Sequence, residues 1–303
     1  MKIIAALILV AALPFALQAC TDISDGTDAL DRGDNAATIQ EWHLLAEQGV
    51  ASAQFNLGLM YDDGESELQN STEAVKWYRK AAEQDHAGAQ ANLGFLYHAG
   101  KGVRQDYREA LKWYRKAAEQ GNVRAQANLG FMYRDGEGAR QDFKEAVKWF
   151  RVAAEQGHAD AQVMLGFMYH DGQGVRQDYG EAMTWYRKAV ERGHVDAQVM
   201  LGMMYYDGEG VVQDYQEARK WYREAAEQGD ASAQARLGIM YGRGLGVPVD
   251  HKRSHMWASI GAENGSKFGR KNRDKLAKNM PPEDISQAED MARRCVDSNY
   301  TDC

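Results

Sequence analysis

The sequence predicts an all-α protein, a right-handed α-solenoid of tandem 36-residue helix-turn-helix repeats, and three combs of residues carry that prediction. Trp77, Trp113, Trp149, Trp185, Trp221 and Trp257 recur every 36 residues. Gly58, Gly94, Gly130, Gly166, Gly202 and Gly238 keep the same period, as do Tyr61, Tyr97, Tyr133, Tyr169, Tyr205 and Tyr241. Three residue types with one period describe a stacked unit that cannot bury its own apolar face and closes its core against its neighbours. Trp42 stands one residue out of register, where the next unit has Tyr78, as expected of an atypical terminal unit.

The chain divides into four segments. Residues 1–19 differ from everything after them. Lys2 is a short positive start, Ile3 to Leu13 is an apolar run too short to span a bilayer comfortably, and Pro14 breaks it before Leu17-Gln18-Ala19-Cys20. This is the pattern of a secretory leader and is excluded from the fold. Two outcomes stay open: acylation of Cys20 as a lipoprotein's mature N-terminus, or simple cleavage after Ala19. Residues 20–50 follow as a linker with N-terminal capping helices.

Residues 51–265 are the six repeats, each read as two helices. In the unit 159–194, Ala161, Leu165, Met168 and Tyr169 fall on one helical face and are expected to be buried. Gly166 sits in the middle of that helix, where glycine costs about 1 kcal/mol against alanine. Its recurrence predicts two helices crossing so closely that a side chain would clash. Gly172 is placed as a left-handed cap. Asp178 and Glu181 predict an acidic capping box at the start of the second helix, repeated by Asp106/Glu109, Asp142/Glu145 and Asp214/Glu217. Ala182, Trp185, Tyr186 and Ala189 form its buried stripe, and Gly193 ends it.

Residues 266–303 carry C-terminal capping helices, split by Pro281-Pro282, and a tail. The chain has three cysteines, Cys20, Cys295 and Cys303. In an oxidising compartment Cys295 and Cys303 are a disulfide candidate, worth roughly 2–3 kcal/mol for so short a loop; two free thiols are the alternative.

The string AQANLGFMYRDGEGARQDFKEAVKWFRVAAEQG at 125–157 resembles the Sel-like repeat family, part of the tetratricopeptide-repeat superfamily. The matching features are Ala-Gln, Leu-Gly, Tyr, the Gly-x-Gly loop, Glu-Ala, the Trp-aromatic pair and the terminal Gly. The resemblance covers six units, about 51 to 264. Ser66 replaces a loop glycine, Asp85 a terminal glycine, and Arg253-Ser254 the Glu-Ala pair. The resemblance implies an adaptor for protein complexes, or in some bacteria a factor in host contact. A cysteine-rich group related to this repeat is linked to β-lactam binding or hydrolysis and carries a cysteine pair per unit. This chain has no cysteine between 21 and 294, so that hydrolase-like alternative is disfavoured.

Partner-binding residues are sought where the units differ, on the first helices. The sixth position gives Asn56, Asn92, Asn128, Met164 and Met200; the ninth gives Phe95, Phe131 and Phe167; the twelfth gives His98, Arg134, His170 and Tyr206. This spacing runs along one side of a helix. Stacked into a concave face, the asparagines supply donor and acceptor for an extended peptide, and Phe and Met take apolar side chains. The alternatives are that the ninth-position residues only fill contacts between repeats and that the asparagines are solvated surface.

The sequence offers no catalytic residue, cofactor motif or metal set. The Gly-x-Gly loops follow helices, not strands, and are caps rather than phosphate cradles. His251 and His255 lie four apart on one helix with no evident third ligand, so they read as a surface pair; His158 and His194 read as exposed turn residues. A formal net charge of −8 disfavours nucleic acid. The expected protein is exported, periplasmic or lipid-anchored through Cys20 to a bacterial envelope, or secreted, and binds a protein or peptide.

Overall fold

The computed structural model describes residues 35–62, 69–300 and 303; the leader, Cys20 and Ser66 lie outside the described residues. Among them are fifteen α-helices and no strand. The first compact unit, ending at Gln156, holds α1 (Asn35–Glu47), α2 (Ala51–Asp62), α3 (Ser71–Glu83), α4 (Ala87–Ala99), α5 (Tyr107–Glu119), α6 (Val123–Asp135) and α7 (Phe143–Glu155). The second, from Gly157, holds α8 (Ala159–Asp171), α9 (Tyr179–Val190), α10 (Val195–Asp207), α11 (Tyr215–Glu227), α12 (Ala231–Arg243), α13 (His251–Glu263), α14 (Lys267–Ala277) and α15 (Pro282–Asp297). Within each unit every helix packs on the one before it up to α14, and α14 and α15 both close onto α13.

Each boundary has a local cause. The second helices α5, α7, α9 and α11 start at Asp106, Asp142, Asp178 and Asp214, whose carboxylates accept from the amide three residues on. The expected capping box is only half present. The N-cap amides donate to Tyr97, Tyr133, Tyr169 and Tyr205 carbonyls of the preceding helix, at 2.8–3.0 Å, so the glutamate arm has no donor left to satisfy. Glu73, Glu109, Glu145 and Glu217 instead face Lys76, Lys112, Lys148 and Lys220. These pairs are exposed and contribute little. The first helices end at glycines in the left-handed region, Gly100, Gly136, Gly172, Gly208 and Gly244, as the sequence predicts. Asp85 holds a left-handed φ of 61° without being glycine, a conformation aspartate tolerates better than most residues.

Histidine caps some first helices. His86 Nδ1 accepts from Ala89 N at 3.1 Å, and His158 Nδ1 from Ala161 N at 3.4 Å, where Asn122 and Asp230 serve elsewhere. His158 and His194 are therefore half-buried N-cap residues, not exposed turn residues; His194 Nε2 meets Asp160 at 3.1 Å.

The mid-helix glycines answer to a ring rather than to a neighbouring backbone. A methyl group on Gly166 would sit 2.5 Å from the Tyr186 ring, and one on Gly130 the same distance from Phe150. Tyr78, Tyr114, Phe150, Tyr186 and Tyr222 are all buried against these glycines. In the last repeat Ala258 replaces the ring. There the backbones themselves close up, a methyl on Gly238 lying 3.0 Å from the Ser254 carbonyl.

The remaining internal polarity is a ladder of amides. Gln54, Gln90, Gln126 and Gln234 are almost fully buried. Each donates to a carbonyl at the end of the helix before it, Ala46, Ala82, Ala118 or Ala226. Each also accepts from an amide thirty residues on, Gln84, Gln120, Gln156 or Asn264, at 2.7–2.9 Å. One side chain thus joins three consecutive helices. At the C-terminus Cys295 and Cys303 are joined by a disulfide, with Cys295 fully buried.

Gly166→Leu is expected to lower stability by about 1–3 kcal/mol or more, because the added side chain must displace Tyr186. Chemical denaturation checks this, and adding Tyr186→Ala should recover part of the loss; full additivity would separate the two sites. A second expectation concerns pH. Burial holds the His86 pKa below its ordinary 6.5. The folded state then binds fewer protons than the unfolded one. The stabilisation is complete above about 6.5 and lost as pH falls through the lower folded value. His86→Asn, a cap that does not titrate, should lose less stability than wild type between pH 7 and 5, measured by denaturant midpoint.

Candidate functional site

The first helices present their sixth, ninth and twelfth positions on one face because the third, fourth, seventh and eighth positions are spent inward: Ala, Gln, Leu and Gly line the core of every repeat. In the first unit the sequence-chosen residues converge. Phe95, His98, Asn128 and Phe131 meet around Tyr114 and Glu137 in a cleft of about 300 Å³ between α4 and α6. Phe95 is half exposed and Leu59, one repeat earlier, nearly so. Asn56, Asn92 and Asn128 are half-buried. Asn92 lies beside the Tyr78 hydroxyl, whose ionisation burial pushes well above the ordinary tyrosine range, with Asp62 adding to the rise and Asn92 opposing it.

The twelfth position does something else. His98 Nε2 meets Glu137 at 2.7 Å and Asp62 accepts from Lys101 Nζ at 2.9 Å, each partner 39 residues on. These residues stitch one hairpin to the loop of the next. His98 also packs edge-on to Tyr107, with ring centroids 5.2 Å apart. Arg134 forms two hydrogen bonds to its neighbour Asp135 and lies over the Phe131 ring.

The second unit repeats the arrangement with different chemistry. His170 contacts Asp171 at 2.6 Å and Glu209 at 2.7 Å. Burial alone lowers its pKa, but the two carboxylates together overcome that and raise it above the ordinary value. Phe167 stands edge-on to Tyr186, and Tyr206 edge-on to Tyr215. The rings of Phe131 and Phe167 therefore pack on the second helix of their own hairpin, on Phe150 and Tyr186. Met164 is half-buried. Met200 is a correction: it is buried at 8% exposure in the core around Tyr186 and Met204 and offers no binding surface. The Tyr186 hydroxyl is buried without a hydrogen-bond partner, and burial pushes its ionisation far up.

The histidine pair on α13 is a second correction. His255 is buried at 2% exposure, 3.3 Å from the Ser259 hydroxyl, while His251 is exposed, so the two form no surface pair. Among the described residues no group of three or more His, Cys, Asp or Glu is placed to hold a metal ion, and no helix is long and apolar enough to cross a membrane.

Sequence reasoning missed the acids Glu137 and Glu209 as partners of the twelfth-position histidines. The signal was present: both pairs, His98/Glu137 and His170/Glu209, keep one separation. It also left the buried glutamines as a motif without a role.

The Sel1 repeat pattern matches residues 51–86, 87–122, 123–158, 159–194, 195–230 and 231–266. A crystal structure of a protective antigen present in uropathogenic Escherichia coli strains, displaying an SLR fold, is 38% identical and superposes with a TM-score of 0.75 over 86% of this chain. This chain spans only 57% of that protein's length. A Sel1 repeat protein from Oxalobacter formigenes is 34% identical with a TM-score of 0.70, covering 79% of this chain and 96% of its own. No curated protein matches the chain. Sel1 repeat proteins generally act as scaffolds for protein interactions. With the family's 36-residue hairpins matched six times in register and its helices observed one by one, the chain belongs to the Sel1 repeat family and is an all-α solenoid.

Proposed function

We propose that the protein is an exported scaffold of the bacterial envelope that binds a peptide or protein segment along the face made by its first helices. The observation that carries this reading is the cleft in the first unit. Phe95 and Phe131 offer apolar walls, and Asn128 offers both a donor and an acceptor at its edge. An extended chain needs that pairing: pockets for side chains and hydrogen bonds for its backbone. The stitched twelfth-position residues hold adjacent first helices in register, so the cleft is built before a ligand arrives and less ordering is lost on binding.

Export is supported by the leader pattern in residues 1–19 and by the Cys295–Cys303 disulfide, which suits an oxidising compartment. Acylation of Cys20 would hold the chain at a membrane. A second reading, a surface or secreted factor that contacts host proteins, draws its support from the similarity to a protective antigen of uropathogenic strains. Neither reading assigns the chain a catalytic activity.

Peptides selected from a displayed library on the mature chain supply a probe. Asn92→Ala with Asn128→Ala should weaken their binding by about tenfold, the worth of one or two hydrogen bonds, with helicity and melting unchanged. Equal affinity of the double variant would remove the asparagines from the site, and loss of binding in Phe95→Ala alone would leave an apolar cleft. Localisation is read from the intact mass of native protein in separated membrane and soluble fractions. A chain beginning at acylated Cys20 in the membrane fraction is expected; an unmodified soluble chain would move the search to free or secreted partners.

A further inference from the structure

The last repeat departs from the others at three positions, two of which line a pocket. Gly242 occupies the twelfth position, where Asp62, His98, Arg134, His170 and Tyr206 stand elsewhere. Ala258 replaces the ring that covers each earlier mid-helix glycine. Ser254 replaces the alanine at the start of each second helix and donates to the Gly238 carbonyl at 2.6 Å, drawing α13 against α12. A pocket of about 280 Å³, lined in part by Gly238, Gly242 and Ser254, lies between α12, α13 and α14.

We propose that this pocket binds an apolar monocarboxylate, a ligand with one hydrophobic body and one carboxylate. Its walls are Ile239, Leu276 and Met280. Its charged lining is Arg243 and Lys275, with His251 beside them and no carboxylate among the lining residues. Neither Arg243 nor Lys275 takes part in an ion pair among the described residues. Asn272 adds a buried amide nitrogen with no acceptor. A buried donor without an acceptor costs roughly 1–3 kcal/mol, a cost that an acceptor on the ligand would remove. The chain as a whole is acidic, at −8, so a pocket whose charges are all positive is a local exception. It sits beside α14, which carries Lys267, Arg270, Lys271, Arg273 and Lys275 against the single acid Asp274. Those cations favour approach of an anion. A volume near 280 Å³ holds on the order of ten non-hydrogen atoms at about 30 Å³ each. That is the size of a medium-chain fatty acid, or of the last residue of a peptide with its free carboxylate. The site belongs to the second unit and uses none of the asparagines of the proposed peptide face, so each stands or falls alone.

Calorimetric titration of the full mature chain with octanoate, N-acetyl-leucine and N-acetyl-leucinamide tests the site. Both acids should bind, each at least about tenfold more tightly than the neutral amide. Lys275→Glu, an exposed substitution, should weaken both acids by about tenfold and leave the melting temperature unchanged. Tighter octanoate would point to a free aliphatic acid and tighter N-acetyl-leucine to a peptide terminus; either supports the site. Equal binding of acid and amide, no heat from either acid at millimolar concentration, or an unaltered affinity in folded Lys275→Glu would overturn it.

Discussion

A buried glutamine near the start of four of the first helices is the contact that sets the register of their hairpins. An isolated hairpin leaves two helix ends with carbonyls that no intrahelical amide can reach. Gln54, Gln90, Gln126 and Gln234 reach back to one such carbonyl and receive the amide of the next helix's end. The amide has a donor and an acceptor, so one residue satisfies both neighbours, and in a low-dielectric interior a half-satisfied amide is heavily penalised. Any rotation of one hairpin against the next would break two bonds at once. The register that results sets where the sixth, ninth and twelfth positions point. Surface chemistry in this protein is thus governed by a polar contact in its core.

Apolar periodicity made most of this architecture legible in the sequence. The Trp, Gly and Tyr combs located every hairpin, and the glycine caps fell where left-handed residues are found. Other features could not be read that way. A glutamine is a polar residue by pattern, and only its partners show that it is buried. The mid-helix glycine told of a close approach but not of what approached; the ring of Tyr186 is twenty residues away in sequence and belongs to the returning helix. His255 shows an available signal not used. Its equivalents two to five repeats earlier are Met183, Val147, Leu111 and Val75, all buried, so the comb already placed it inside. Met200 had no such signal: its equivalents Asn128 and Met164 are half-buried, and its burial follows from the methionines that surround it in the second unit.

The candidate binding residues were legible as positions but not as roles. The sixth and ninth positions do line a cleft in the first unit. The twelfth is divided: His98 and His170 are held by Glu137 and Glu209, so most of their hydrogen-bonding capacity is used within the fold. Variation between repeats had suggested partner contact, yet the varied residues conserve a partner within the chain, Asp62 with Lys101 as His98 with Glu137. At positions 62, 98 and 170 the charge identity changes while the pairing is kept; Arg134 turns to Asp135 and Tyr206 to Tyr215. Variation alone therefore does not separate a binding residue from a stitching one; the partner 39 residues on does.

Repetition also explains where unusual chemistry can arise. Inside each unit, a repeat must match two neighbours. The final repeat faces a neighbour of another kind. Helices α14 and α15 do not carry the repeat pattern, and the side of α12 and α13 they cover need not satisfy a ring or a stitch. Gly242, Ser254 and Ala258 are changes found in this repeat alone, where α12 and α13 close on one another. The pocket beside them is walled by α14, with Leu276 and Met280 closing it and Lys275 at its mouth. A solenoid therefore concentrates freedom to build a pocket where its repeat stops, because there the constraint of matching the next copy is lifted while a packed helix still supplies the third wall.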